Sequence, residues 1–147
     1  MSPYAIFDLD GCLADDRARL VLIDHSQPDP WAAYHAKCNM DRLMNAKLLA
    51  LAKNYELIIF TARPESARER TQHWLKIVAK VEPRHIFMRP EGCRKSSPEL
   101  KHEFLLRLFS VNIAPAEIAF AVDDRIDVLD VYAKYGIPAI RTFYQEE

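Results

Sequence analysis

The segment Tyr4-Ala5-Ile6-Phe7-Asp8-Leu9-Asp10-Gly11-Cys12-Leu13 runs from an apolar stretch into two aspartates at positions i and i+2. On a strand, that spacing puts both carboxylates on one side. Like charges held a few ångströms apart repel, and the usual resolutions are a bound cation or one carboxyl with a raised pKa. Either is useful chemistry. A hard divalent ion such as Mg2+ lets one carboxylate attack an anionic ester while the other, protonated, serves the leaving group. The same letters also spell an Asp-Gly turn closing a strand, so the pair needs company before it means a site.

Three further clusters supply that company. Leu57-Ile58-Ile59-Phe60-Thr61-Ala62-Arg63 reads as a buried strand that delivers a hydroxyl and a guanidinium just ahead of a helix. Thr61 with nearby backbone N–H groups suits phosphoryl oxygens, and Arg63 offers a fork of donors for a second phosphate or a sugar edge. As a β-branched residue, Thr61 would also be at home in any strand. In Ser96-Ser97-Pro98-Glu99-Leu100-Lys101, Ser96 with Glu99 forms a capping box and Pro98 suits the first turn. Lys101 then lies near a helix N-terminus, where the macrodipole disfavours a cation unless an anion is close or water solvates the charge. Lys95 competes for the same role, but it falls in the loop before the cap. Finally, Ile118-Ala119-Phe120-Ala121-Val122-Asp123-Asp124-Arg125 brings acids to the end of another buried strand, with Asp127 one helical turn on. A second carboxylate pair is what a Mg2+ site requires. Helix N-capping accounts for one of these acids but not for all.

The elements that must position these groups can be read from periodicity. Apolar, β-prone runs occur at Tyr4 to Leu9, Glu56 to Thr61, His85 to Met88, Ile118 to Val122 and Pro138 to Phe143. Between them, helical spacing appears over Asp41 to Lys53, over Glu65 to Val78, after Ser96, and over Ile126 to Tyr135 with Gly136 as its C-cap. Alternation of this kind predicts an α/β fold: a doubly wound, mostly parallel sheet with helices on both faces and its ligand site beyond the strands' C-terminal ends. The chain reads as a single domain over 1–147. Its one irregular stretch, about 12–38, contains Ser26-Gln27-Pro28-Asp29-Pro30 and then Trp31-Ala32-Ala33-Tyr34, and reads as a small flap over the site rather than a large cap domain.

A chain of 147 residues, half of them hydrophobic, is long enough for one sizeable core. A net charge of -1 excludes a broadly basic nucleic-acid coat, so a polyanion would have to be held by a local patch. Cys12, Cys38 and Cys93 are odd in number and widely spaced, which argues against a disulfide framework and a zinc knot and fits a reducing, cytoplasmic setting. No signal segment or membrane span is expected. Cys12 lies one residue too near Arg17 for a Cys-x5-Arg phosphate cradle, and the five histidines are scattered.

Taken in order, the four clusters resemble the motifs of the haloacid dehalogenase superfamily of aspartyl-phosphate phosphotransferases, over nearly the whole chain. Within it, the resemblance is to the 3'-phosphatase domain of bacteriophage polynucleotide kinase/phosphatases. It is carried by Thr61-Ala62-Arg63, Met88-Arg89-Pro90, Arg94-Lys95, Lys101-His102-Glu103-Phe104, Val122-Asp123-Asp124-Arg125 and Tyr135-Gly136-Ile137. The resemblance implies Asp8 as nucleophile, Asp10 as general acid/base, Thr61 and Lys101 as phosphate-stabilising groups, and Asp8, Asp10, Asp123 and Asp124 as the Mg2+ set. It implies Arg63, Arg89 and Arg94 as substrate-binding residues. Cys12 stands where threonine or valine is usual, and Thr61-Ala62-Arg63 replaces Ser-Gly-Arg while keeping the hydroxyl. No Gly-x-x-x-x-Gly-Lys-Ser/Thr loop is present, so phosphatase chemistry without a kinase half is implied.

The substrate implied is a phosphorylated nucleic-acid end, with a small-molecule nucleotidase as the alternative and a non-catalytic binding module as a third. A flap this short leaves the site open to a polymer. Trp31 and Tyr34 could stack on a base or pack the flap onto the core, and Arg17, Arg19, Arg63, Arg89, Arg94 and Lys95 could line the approach.

Overall fold

The computed structural model describes residues 3–145. Five parallel strands form the central sheet: β1 (Tyr4–Phe7), β4 (Glu56–Pro64), β5 (His85–Arg89), β6 (Ile118–Asp123) and β7 (Ala139–Arg141), in the order β5-β4-β1-β6-β7. The inner strands β1, β4 and β6 are largely buried on both faces, which is why they read as continuous apolar runs, whereas the edge strand β7 is exposed. Ala5, Phe7, Leu57 and Ile59 face one layer, built on α3 (Ala46–Leu51), α4 (Arg68–Trp74) and the π turn Leu75–Ala79. Ile6, Ile58 and Phe60 face the other, built on α5 (Ser97–Ser110) and α6 (Ile126–Ala133). Helices therefore cover both faces, as the alternation predicts.

From β1 the chain works outward through β4 to β5, then crosses back to β6 and β7 on the other side of β1. The order reverses next to β1, and such a switch point opens a crevice at the C-terminal strand ends. Asp8 and Asp10 follow β1 directly, Asp123 ends β6, and Thr61 and Arg63 lie in the last part of β4.

Several boundaries differ from the sequence reading, each for a local reason. The helix expected over Asp41 to Lys53 begins only at Ala46: Asn45 takes a left-handed conformation (φ 55°) and donates its side-chain N–H to the Cys12 carbonyl (2.7 Å). Arg42–Leu43 instead forms β3, antiparallel to β2 (Ala14–Asp15). The flap is closed at its base by this ribbon and carries α1 (Arg17–Leu20) and α2 (Ala32–Ala36). The helix expected over Glu65 to Val78 is a 3-10 turn, then α4, then the π turn. β4 continues past Thr61 to Pro64, and β7 is shorter than Pro138 to Phe143. Gly136, at φ 69°, follows α6 in the left-handed conformation its C-capping role requires. Among the described residues, no helix is long and apolar enough to cross a membrane.

Candidate active site

β1 delivers Asp8 into the crevice, and its backbone N–H is fixed by the Val122 carbonyl of β6 (3.0 Å). The chain then folds tightly on itself, with the N–H groups of Cys12, Leu13 and Ala14 all donating to the Leu9 carbonyl at 2.9 Å. Gly11 makes this possible at φ 79°. A Cβ there would stand 2.5 Å from Asp124 Oδ2, so the turn needs glycine for its backbone and for the space it leaves the neighbouring acid.

Oxygens of Asp8, Asp123 and Asp124 lie within 4.8 Å of one another. Lys101, 2% exposed, donates from Nζ to Asp8 Oδ1 (2.9 Å) and Asp123 Oδ2 (2.5 Å). Ser96 accepts the Glu99 N–H (3.4 Å) and starts α5, which aims Lys101 inward. One cation against three carboxylates leaves an excess of negative charge. Burial, reinforced by the charge of Asp123, raises the pKa of Asp8 well above the ordinary value despite Lys101. Asp124 is raised as well, by burial first and then by Asp123. An all-carboxylate donor set with surplus charge fits a hard divalent cation of the Mg2+ type.

Asp10 belongs to a different group. Its carboxylate is not one of the three that converge. It turns instead toward the Nη2 of Arg63 (2.7 Å) and of Arg19 (2.6 Å), so the four-residue metal set expected from sequence has three side-chain members here. Burial alone would raise the Asp10 pKa, but the two guanidiniums, Arg63 foremost, outweigh it and hold it at about 2. Asp41 closes the group by accepting from Arg19 Nε (2.8 Å) and Nη2 (2.6 Å). The Trp74 indole N–H holds the Asp41 carbonyl (2.8 Å).

A bulge explains how Arg63 reaches Asp10. Between Phe60 and Pro64, β4 advances four residues while β5 advances two, from Phe87 to Arg89. Extra residues of this kind re-aim side chains. Thr61 and Arg63 are both buried: Thr61 Oγ1 accepts the Arg63 N–H (3.2 Å), and Arg63 Nη1 donates to Thr71 (3.1 Å). Arg63, 0% exposed, thus spends its fork on Asp10 and Thr71 rather than holding it open for a second phosphate or sugar edge. Arg89 likewise gives its donors to the carbonyls of Ala62, Cys93 and Lys95, bracing the loop before α5. Arg94 is exposed. Lys95 pairs with Glu103, and Asp127 with Arg125, on the surface.

The flap aromatics divide. Tyr34 is buried, its O–H donates to Asp16 (2.6 Å), and the Arg19 guanidinium lies 4.2 Å from its ring centroid, so it packs rather than waits for a base. Trp31 is 43% exposed. Sequence reasoning missed Asp41 as a site residue, because it falls where apolar spacing suggested a helix start. No local pattern signals an acid whose partners are 22 residues away. The three cysteines are free thiols, as their spacing implies.

The family model for the polynucleotide kinase PNKP phosphatase domain matches residues 3–145. Comparison with curated protein sequences gives no significant match. Among solved structures, the chain resembles one from the Pnkp1/Rnl/Hen1 RNA repair complex (TM-score 0.71, 24% identity), over 99% of this chain and 44% of that one. It therefore spans less than half of that relative's length. It also resembles CbbY from Rhodobacter sphaeroides in complex with phosphate (TM-score 0.66, 16% identity, 99% of this chain and 88% of that one). A third similar structure is L-2-haloacid dehalogenase from Xanthobacter autotrophicus with chloropropionic acid covalently bound (TM-score 0.63, 12% identity, 96% and 77%). At such identities the structural likeness concerns the fold, whereas the family match spans all described residues. The chain belongs to the PNKP phosphatase-domain family, which is of the haloacid dehalogenase type.

Proposed function

We propose that this protein is a divalent-metal-dependent phosphomonoesterase that works through an aspartyl-phosphate on Asp8 and acts on 3'-phosphorylated ends of nucleic acid. The observation that carries the chemistry is the convergence of Asp8, Asp123 and Asp124 around Lys101. The substrate reading leans on the family and on a flap of two short helices in place of a large cap.

An Asp8 oxygen attacks phosphorus in line, the bond from phosphorus to the leaving oxygen breaks, and the phosphoryl group is left on Asp8 as an acyl phosphate. Lys101 offsets charge on the phosphoryl oxygens, and Thr61 lines the same end of β4. When bound by Asp8, Asp123 and Asp124, a cation such as Mg2+ supplies the neutralisation that lets an anionic nucleophile meet an anionic ester. Asp10 protonates the leaving alkoxide, then takes a proton from the water that cleaves the acyl phosphate, which frees inorganic phosphate and restores the carboxylate. Held at about 2, Asp10 is ionised at neutral pH and cannot donate a proton. Acid catalysis therefore requires its ion pairs with Arg63 and Arg19 to loosen as the leaving oxygen comes beside it.

Phosphate release from matched 3'-phosphorylated oligonucleotides, 5'-phosphorylated oligonucleotides and mononucleotides tests the substrate. Higher kcat/KM on the 3'-phosphorylated oligonucleotide is expected. A preference for mononucleotides would hand the case to a small-molecule nucleotidase.

A further inference from the structure

The chemistry of Asp10 fixes where the leaving nucleoside must lie, since the group that protonates an alkoxide sits beside it. From Asp10 an unbroken series of contacts leads into the flap. Arg19 Nη2 is 2.6 Å from Asp10 Oδ1, the Arg19 guanidinium lies 4.2 Å from the Tyr34 ring centroid, and the Tyr34 and Trp31 centroids are 5.4 Å apart, edge to face. Trp31 ends the series with a solvent-facing indole. Beside it, the His35 ring centroid lies 6.3 Å from that of Trp31 with the planes 31° apart, and 4.9 Å from that of Tyr34.

His35 packs on the same flap aromatics, one of which carries Arg19. The charged groups that act on it are Asp10, Arg63 and Arg19, together with Asp29. Burial is the main cause that lowers its pKa, to about 4, so the ring is neutral and offers one donor and one acceptor. Its Nδ1 is buried with no hydrogen-bond partner among the described residues. A buried polar atom left unpaired is costly, and one on the flap beside the aromatics that continue from Arg19 is readily explained by a partner that arrives with substrate.

We propose that Trp31 and His35 form the subsite for the leaving nucleoside, with the base stacked on the exposed indole and the sugar or base edge hydrogen-bonded by the imidazole. The ligand class is a nucleoside bearing the phosphate that the enzyme removes. This rests on Asp10 standing at the leaving oxygen, as read above, but not on the substrate being a polymer. Tyr34, which the sequence offered equally, is occupied by Asp16 and Arg19. Phe143 is exposed too, but the arginine against its ring, Arg141, is hydrogen-bonded to the Asp124 carbonyl rather than to Asp10.

The test compares substrates with and without a base: 3'-phosphorylated oligonucleotides ending in a normal or an abasic nucleotide, and a 3'-nucleoside monophosphate beside the corresponding sugar phosphate. Stacking on an aromatic side chain is worth about 1–3 kcal/mol per base, or roughly 5- to 150-fold. Trp31→Ala should collapse the wild-type preference for base-bearing over abasic substrate by that factor, and Trp31→Phe should recover most of it. His35→Phe, which keeps a ring but no nitrogens, should lower kcat/KM on nucleoside substrates by about 2- to 10-fold, the worth of one hydrogen bond. Loosening of the flap alone would lower both members of each pair equally and leave the ratio intact, which would overturn the proposal. So would a base-specific loss in Phe143→Ala but not in Trp31→Ala. If the oligonucleotide proves no better than the monophosphate, the polymer reading fails while the monophosphate pair still decides the role of Trp31.

Discussion

Asp8 carries a cost that its partners only partly offset. Its carboxyl is raised by burial and by Asp123, and Lys101 does not cancel the effect. A raised folded-state pKa contributes stability that is complete below the unfolded value of about 4 and is lost as pH rises through the folded value. In metal-free protein the contribution of Asp8 should therefore fall as pH climbs above about 4, against a rise from His35 that is the same with and without metal, and a cation bound by the three carboxylates should restore what Asp8 loses. Melting temperatures measured in Mg2+ and in EDTA should diverge as pH rises; a gap that stays constant or narrows would contradict this. Lys101 is the second residue on which the cluster depends. Lys101→Met leaves Asp8 and Asp123 without their buried cation, a loss of about 3–5 kcal/mol in metal-free protein, and should cut turnover by roughly 100-fold or more. Lys95, paired with Glu103 on the surface, should change melting temperature and turnover far less when made alanine. The acids were legible in the sequence because strand ends deliver them. The fate of Arg63 and Arg89 was not, since whether a guanidinium faces substrate or carbonyls depends on elements distant in the chain.

At the scale of elements, two irregularities set the geometry. The β4 bulge turns Arg63 toward Asp10, and it escaped sequence reading because Thr61-Ala62-Arg63-Pro64 carries no mark separating a strand's end from a bulge. The other is the tight turn at Gly11. Gly11→Ala would strain a positive φ and press on Asp124 Oδ2, so metal affinity should fall roughly tenfold or more in a Mg2+ titration, the size of effect typical for residues that orient metal ligands. The flap was recognisable as an interruption of periodicity, yet its base was misread. Asp41 belongs to the turn before β3 and anchors Arg19. In Asp41→Asn the two guanidiniums lose a competing carboxylate and grip Asp10 harder. Turnover should then drop about tenfold or more on alkyl phosphates and much less on aryl phosphates, whose leaving groups need little proton transfer. Equal losses on both would show that Asp41 serves only to fold the flap.

For the whole molecule, the parallel sheet with helices on both faces was legible in the alternation of strand and helix, whereas the order of its strands, which sets the switch point beside β1, was not. A net charge of -1 means that any attraction for a polyanion is local. If backbone phosphates are engaged by surface cations such as Arg94, kcat/KM on a 3'-phosphorylated oligonucleotide should fall as salt rises, while activity on a mononucleotide changes little. Parallel salt responses for the two substrates would place no polymer contacts on this surface. The account as a whole stands on Asp8 as the nucleophile. Acid quenching during turnover with Mg2+ present, followed by peptide mass analysis, should find one phosphoryl group on the Asp8 peptide, absent from Asp8→Asn protein, which should itself retain the fold and lose activity by at least about a thousandfold. A phosphoryl group on any other residue, or near-normal turnover by Asp8→Asn, would contradict it.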